Sequence, residues 1–316
     1  MSERTELTLA DGVRLFVETS GPADAPVTVV LLHGWCQDRR TWHYQVKALA
    51  DANVRVVAFD ARGHGRSSDT KLRSATLGQL GDDLAEVIRE HAAPGPVVLV
   101  GHSLGGMTIM EYAESYPEEF ASRIGGLLFV SSTAEGSTHT CYGLPAQLTP
   151  ILRTAEQTGA TVLARLGAWR PHRAMLPLLR PTVRWLLFGD DYAPGDMEIT
   201  MSAFGRASLR SIGGFRASVG AQQRLETLAA LGDIPAAALV GDRDRLTPPA
   251  CAKSIAGALR GTELTVFPGA GHMLMLERPA EVTATLMELV DRTARSLPGR
   301  RARRDRAERG GYEQAA

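Results

Sequence analysis

From residue 14 to residue 130, short apolar runs alternate with longer amphipathic stretches. Arg14 to Thr19 alternates polar and apolar side chains, the period of a half-buried strand. Val27-Thr28-Val29-Val30-Leu31-Leu32 is a β-branched run ending at His33-Gly34, and it predicts a strand buried on both faces. Trp42 to Ala50 reads as a helix. Val54 to Phe59 is the next strand, stopped by Asp60 and the loop of Gly63 and Gly65. Leu77 to His91 places Leu80, Leu84, Val87 and Ile88 on one helical face. Pro96 to Val100 is another buried strand. Leu104 to Tyr116 is a helix ended by Pro117, and Ile124 to Val130 a further strand. Strands separated by helices predict right-handed βαβ units and a parallel sheet. The rhythm returns late, with a strand at Ala236 to Val240, a helix at Pro249 to Leu259 and a strand at Glu263 to Phe267. A last helix face is marked by Val282, Leu286, Leu289 and Val290.

Between these stretches the rhythm breaks. Residues 134–220 read as helical and loop-like, punctuated by Pro145, Pro150, Pro171, Pro177, Pro181 and Pro194. Seven of the chain's 18 aromatic residues fall in these 87 positions, among them Trp169 and Trp185. That density suggests an insertion over the C-terminal edge of the sheet, where open α/β sheets bind ligands. The plainer reading of any one of these aromatics is that it belongs to the insert's own core. Pro298 to Ala316 holds six arginines, three acidic residues and three glycines, the composition of a solvated disordered end. The expected organisation is therefore a core over 1–133 and 221–297, a helical insertion over 134–220 and an Arg-rich tail over 298–316.

Composition narrows the partners. The chain has 316 residues, 44% hydrophobic and 22% charged, enough to bury a substantial core. Lys+Arg and Asp+Glu are both 35, so the surplus of positive charge that a nucleic-acid or anionic-membrane binder needs is missing. Cys36, Cys141 and Cys251 form no C-x-x-C pair, which favours a reducing cytoplasm over a disulfide framework. The N-terminus is polar, without an apolar stretch of signal-peptide length before Asp11, and no apolar run approaches membrane-spanning length. A membrane partner is not expected.

The chemistry is concentrated in Val97-Val98-Leu99-Val100-Gly101-His102-Ser103-Leu104-Gly105-Gly106. In a chain with 32 glycines, G-x-S-x-G alone is weak. Its context selects it: it follows a buried strand and opens a helix, as a strand–turn–helix nucleophile elbow requires. Ser103 would sit in a strained turn that only small neighbours, Gly101 and Gly105, permit. The helix N-terminus beneath it would offer free N–H groups.

With this segment the chain resembles the α/β-hydrolase superfamily. The resemblance is carried also by His33-Gly34-Trp35, by Asp60-Ala61-Arg62-Gly63-His64-Gly65-Arg66-Ser67, by Gly241-Asp242-Arg243-Asp244-Arg245-Leu246-Thr247-Pro248 and by Gly269-Ala270-Gly271-His272. These segments span about residues 7 to 296 in the family's order. His-Gly-Trp, with Trp42 further on, is similar to the serine esterase and cofactor-free haloperoxidase (perhydrolase) branch. The resemblance implies an α/β-hydrolase fold: a mostly parallel eight-stranded sheet flanked by helices, with a helical cap inserted after strand 6.

A serine hydroxyl needs a base. This fold carries its triad in the order Ser, acid, His, and of the eight histidines only His139, His172 and His272 follow Ser103. The first two lie in the insert, so His272, in a small-residue loop after the Glu263–Phe267 strand, is the expected general base. The resemblance implies the acid that orients it: the family's spacing G-x-x-D before a proline-opened helix falls on Asp244, with Asp242 as runner-up. Glu135, the first carboxylate after the strand ending near Val130, is disfavoured. The oxyanion would be met by the backbone N–H groups of Leu104 and Trp35. Cys36, His102, Trp169, Trp185 and Met273 are the expected pocket residues, with Cys36 as a wall residue and not a nucleophile. His33, His64 and His102 are expected to brace loops around the elbow, and Asp60 and Arg62 to tie down the loop after their strand. The nine arginines of the insert, against six acidic residues, are taken as a solvated face.

The expectation is a cytoplasmic serine hydrolase cleaving a small-molecule ester-like substrate through an acyl-enzyme on Ser103. No cofactor or metal is expected, because no G-x-x-x-x-G-K-[ST], H-E-x-x-H or post-strand G-x-G-x-x-G is present. Serine at the elbow sets the chain apart from the epoxide hydrolases and haloalkane dehalogenases that carry aspartate there. Thioester, lactone or C–C bond cleavage and perhydrolysis would use the same triad. A non-hydrolytic small-molecule binder or cyclase on this fold is the alternative of another class, which labelling of Ser103 by a fluorophosphonate would discriminate.

Overall fold

Eight strands form one sheet: β1 (Glu3–Thr8), β2 (Arg14–Ser20), β3 (Thr28–Leu32), β4 (Arg55–Asp60), β5 (Val97–His102), β6 (Ile124–Val130), β7 (Ala236–Gly241) and β8 (Glu263–Phe267). The structure is a computed structural model that describes residues 2–50, 52–140, 142, 146–170 and 176–296. The strand order is β1-β2-β4-β3-β5-β6-β7-β8. From β4 to β8 along the sheet every pair is parallel, whereas β1 and β2 run antiparallel at one edge. The sheet is thus mostly parallel, as the fold class requires.

The helices follow in chain order. They are α1 (His43–Leu49), α2 (Leu77–His91), α3 (Leu104–Ser115), α4 (Pro117–Arg123), α5 (Thr149–Arg165), α6 (Leu176–Leu187), α7 (Pro194–Phe204), α8 (Leu209–Gly214), α9 (Arg216–Ala221), α10 (Leu225–Ala230), α11 (Pro249–Ala258), α12 (Leu274–Glu277) and α13 (Pro279–Arg295). Strand alternation sorts them onto two faces. Val30 and Leu32 of β3 pack with Leu84 and Ile88 of α2, Ile109 and Tyr112 of α3 and Ile255 of α11. Val29 and Leu31 face the other way, onto Leu49 of α1 and Leu286 and Leu289 of α13. Because β3 to β8 are buried or edge strands pointing one way, the loops that leave their C-terminal ends gather at a single margin. Those loops carry Gly34, Ser103, Ser132, Asp244 and His272.

Two sequence expectations are corrected here, and one strand was not foreseen. Pro117 does not simply end a helix; it occupies the first turn of α4, with Glu118 and Glu119 beside it, where a missing N–H costs nothing. Residues Arg39–Trp42 form a 3-10 turn, so the helix expected from Trp42 begins at His43. Strand β1 carries no recognisable apolar alternation, because it is an edge strand with mostly exposed side chains. Helices α5 to α10 occupy the interval between β6 and β7. The tail expected over 298–316, like His172, lies outside the described residues. Among the described residues, no helix is long and apolar enough to cross a membrane.

Candidate active site

Strand β5 delivers its last residue, His102, directly into the turn at Ser103. Ser103 has φ 50° and ψ −113°, a backbone state that L-residues rarely adopt. Its N–H donates to Val130 C=O at 3.0 Å, and its C=O accepts from Gly106 N–H at 3.0 Å and from Ser132 Oγ at 2.8 Å. The strained turn is thus held from both sides. The glycines have a steric reason. A Cβ on Gly101 would stand 2.4 Å from Gly106 N, and one on Gly105 2.4 Å from Leu32 O. Although Ser103 is the N-cap of α3, its hydroxyl makes no cap hydrogen bond. It is left facing the cavity, and Leu104 N–H, the first of α3, has no carbonyl partner within the helix.

Two further loops converge on this turn. After β7, Asp244 is buried, and Oδ1 accepts from the N–H groups of Leu246 and Thr247 at 2.9 and 2.8 Å. Oδ2 accepts from Thr247 Oγ1 at 2.8 Å and from His272 Nδ1 at 2.9 Å. A carboxylate can only accept, so Nδ1 carries the proton and Nε2 is the free base nitrogen. The His272 loop is itself tied down. His272 N–H and Met273 N–H both donate to Leu187 C=O at the end of α6, at 2.8 and 3.1 Å. His102 Nε2–H donates to His272 C=O at 3.0 Å. Burial, and then the neighbouring His272, hold His102 well below the ordinary histidine pKa, so it is a neutral donor.

Ser103 and His272 line the same cavity of about 320 Å3, with Trp35, Cys36, Gln37, His102 and Met273 on the sheet side. No hydrogen bond joins Ser103 Oγ to His272 Nε2 among the described residues; in ligand-free sites such contacts are commonly long. The Trp35 loop reaches the elbow closely enough that a Cβ on Gly34 would stand 2.4 Å from His102 Nδ1 and 3.3 Å from Ser103 Cβ. Burial pushes the Cys36 thiol up to about 12, which keeps it neutral and unreactive.

Trp169 and Trp185, expected in the pocket, do not line it. On α6 the cavity side is formed by Leu179, Val183, Leu186 and Leu187, spaced as one helical face. Trp185 falls on another side of that helix, 42% exposed, with the Arg245 guanidinium 5.0 Å from its ring. Trp169 lies in the loop after α5 and is 63% exposed. Neither Asp242 nor Glu135 contacts His272: Asp242 accepts from Gly269 N–H at 2.8 Å, and Glu135 pairs with His139 at 3.0 Å. His33 braces its loop from both ring nitrogens, to Gly34 C=O at 2.8 Å and from Ala61 N–H at 2.9 Å. Asp60 accepts from the N–H groups of Arg39 and Arg66, and Arg62 is buried against Asp83.

Several site residues escaped the sequence reading. Glu277 accepts from Gly189 N–H at 2.7 Å and Gly271 N–H at 2.9 Å, clamping the end of α6 to the loop of His272. Burial holds its carboxyl above the usual range. Its setting, a carboxylate after Leu274-Met275-Leu276, was the available signal. Thr247 and Ser132 act through hydroxyls whose partners are distant in sequence, and no local pattern marks them.

The alpha/beta hydrolase family model matches residues 29–285, which include the elbow and both partner loops. The relative named "Putative carbamate hydrolase RutD" of Variovorax paradoxus is 26% identical over 288 residues, 90% of this chain and 98% of that protein. The bifunctional esterase/perhydrolase DCH of Acinetobacter calcoaceticus is 37% identical over 113 residues, 36% of this chain and 40% of that protein. Among solved structures, a thermophilic esterase from Thermogutta terrifontis superposes with a TM-score of 0.74 at 24% identity, covering 92% of this chain and 99% of that one.

Proposed function

The chain is an enzyme of the alpha/beta hydrolase family, and from that premise we propose that it is a serine hydrolase acting on carboxylic esters or related acyl compounds. Ser103 Oγ attacks the acyl carbonyl carbon while His272 Nε2 takes its proton. The oxyanion of the tetrahedral intermediate is met by the N–H groups of Leu104 and Trp35. Collapse breaks the bond to the leaving group, which departs with the proton from His272 and leaves an acyl-Ser103. Water, deprotonated by His272, then releases the acid. Asp244 holds the imidazole tautomer throughout and balances its charge when protonated. Residues 134–220 serve as a cap, whose α6 closes the acyl pocket.

The observation that carries this reading is the Asp244–His272 pair at 2.9 Å beside a strained, uncapped Ser103 in one shared cavity. The activities named for the two relatives described above, carbamate hydrolysis and ester hydrolysis with perhydrolysis, are acyl reactions. The test is turnover of p-nitrophenyl butyrate. Ser103→Ala should lower kcat by about 10^4-fold or more with an unchanged far-UV spectrum. Full turnover by that variant would refute the assignment.

A further inference from the structure

We propose that Gln37 is a specificity-determining residue whose side-chain carboxamide hydrogen-bonds the substrate, so that the favoured acyl substrates carry a hydroxyl or carbonyl in addition to the scissile carbonyl. The proposal rests on the serine-hydrolase reading above and deepens it.

Gln37 is 2% exposed and lines the cavity that holds Ser103 and His272. Its backbone N–H is used at once, donating to Gly34 C=O at 3.1 Å to close the turn after β3. Its side chain is different. Oε1 is enclosed without a partner, and no side-chain hydrogen bond of Gln37 is formed among the described residues. Its two loop neighbours with polar side chains, Trp35 and Asp38, are engaged. Trp35 Nε1–H donates to Ser211 C=O at 3.1 Å, and Asp38 pairs with Arg40 at 2.6 Å. The loop therefore leaves one amide without a hydrogen bond, on a residue that lines the reaction cavity.

A buried carboxamide with no partner is uncommon in a folded chain, because its lost hydration is not offset. At the wall of a ligand cavity, the partner that fits is a group of the ligand. A carboxamide can donate and accept, and a flip exchanges its two ends, so a hydroxyl or a carbonyl is met equally well. On the insert side the cavity is mostly apolar, with Leu179, Val183, Leu186 and Leu187 of α6 and Phe204; Tyr142, Glu156 and Thr182 are its polar members. The complementary substrate has one polar group near the β3 loop and an apolar body toward α6.

The experiment uses p-nitrophenyl esters of short acyl chains bearing a hydroxyl at carbon 2, 3 or 4, each paired with the ester in which methyl replaces that hydroxyl. Comparing the kcat/KM ratio of each pair between the wild type and Gln37→Leu or Gln37→Met cancels intrinsic reactivity. In at least one pair the preference for the hydroxyl ester should fall about tenfold in both variants, the scale of one neutral hydrogen bond. The kcat/KM of the methyl esters should change less than that of their hydroxyl partners. The Tm of both variants should be unchanged or higher, since an unpaired buried amide has been removed. Unchanged ratios in every pair would overturn the proposal, and so would a Tm that falls by several degrees, because the amide would then be bonded within the protein. Fluorophosphonate labelling separates the two readings. Variants labelled at Ser103 with unchanged ratios overturn the role of Gln37 alone; a wild type unlabelled at Ser103 overturns the serine reading and this proposal with it.

Discussion

Around Ser103, almost every added atom collides. A Cβ on Gly101, Gly105 or Gly106 would come within 2.4 Å of a backbone or side-chain atom, and the strained serine is pinned by hydrogen bonds from β6 and α3. In the segment that carries α5 and α6, by contrast, Ile151, Leu178 and Trp169 are 70%, 78% and 63% exposed. Both regions border one cavity, yet the first contributes fixed geometry and the second one apolar helix face. Under the proposed function, chemistry is built where the chain has no room to vary, and the substrate would be contacted from a region where outward positions such as Ile151 and Leu178 are free. The seam between them is tight. A Cβ on Gly63 would overlap Ser211 of α8, and His64 packs 5.9 Å from the Phe215 ring.

This contrast can be broken by substitution and by pH. The largest effect is expected at Gly105. In Gly105→Ala the new methyl meets Leu32 O at 2.4 Å and Leu32 Cβ at 2.7 Å. A shift of β3 against α3 should destabilise the fold by about 1–3 kcal/mol or more and misplace the serine, as urea titration and esterase assay would report together. A wild-type Tm in that variant would contradict the crowding argument.

A smaller effect is expected at the seam. Burial pushes His64 from its ordinary 6.5 down to about 3. Between those values the unfolded chain binds a proton that the folded chain does not, so stability present above pH 6.5 is lost as pH falls toward 3. Asp83 works in the opposite sense, because burial raises it from 3.8 to about 6 and the folded state then gains stability below pH 6. Over pH 6 to 4 the two slopes nearly offset each other, so on acidification from pH 6.5 to 4 the Tm of His64→Gln should fall less, or rise more, than that of the wild type. Equal slopes in the two proteins would remove His64 from the account. The smallest effect belongs to the insert surface: Trp169→Ser should change kcat/KM by less than about twofold, the usual outcome at an exposed position away from the chemistry. A loss of tenfold or more there would mean that the outer face of the cap meets the substrate.

The same contrast explains what could be read from the residues in order. The elbow was legible because its constraint is local: a buried β-branched run, two glycines flanking a serine and a helix opening at Leu104 form one continuous signature. Asp244 and His272 were legible through their own short loops after β7 and β8. The pocket was not. Trp169 and Trp185 are aromatic residues of the insert, but which face of a helix meets a cavity is decided by its packing, and α6 turns Leu179, Val183, Leu186 and Leu187 inward and Trp185 out beside Arg245. Glu277, Thr247 and Ser132 were missed for a related reason, since their partners lie in other loops. Strand β1 was hidden because an edge strand needs little apolar alternation to hold its place beside β2.

The central claim is that the reactivity of Ser103 comes from its meeting with His272, itself held by Asp244. Fluorophosphonate labelling with peptide mapping tests it most directly. The account predicts one adduct, on Ser103, forming rapidly in the wild type and slowed by orders of magnitude in a folded His272→Ala variant. An adduct on another residue, or equal labelling rates in the two proteins, would contradict it.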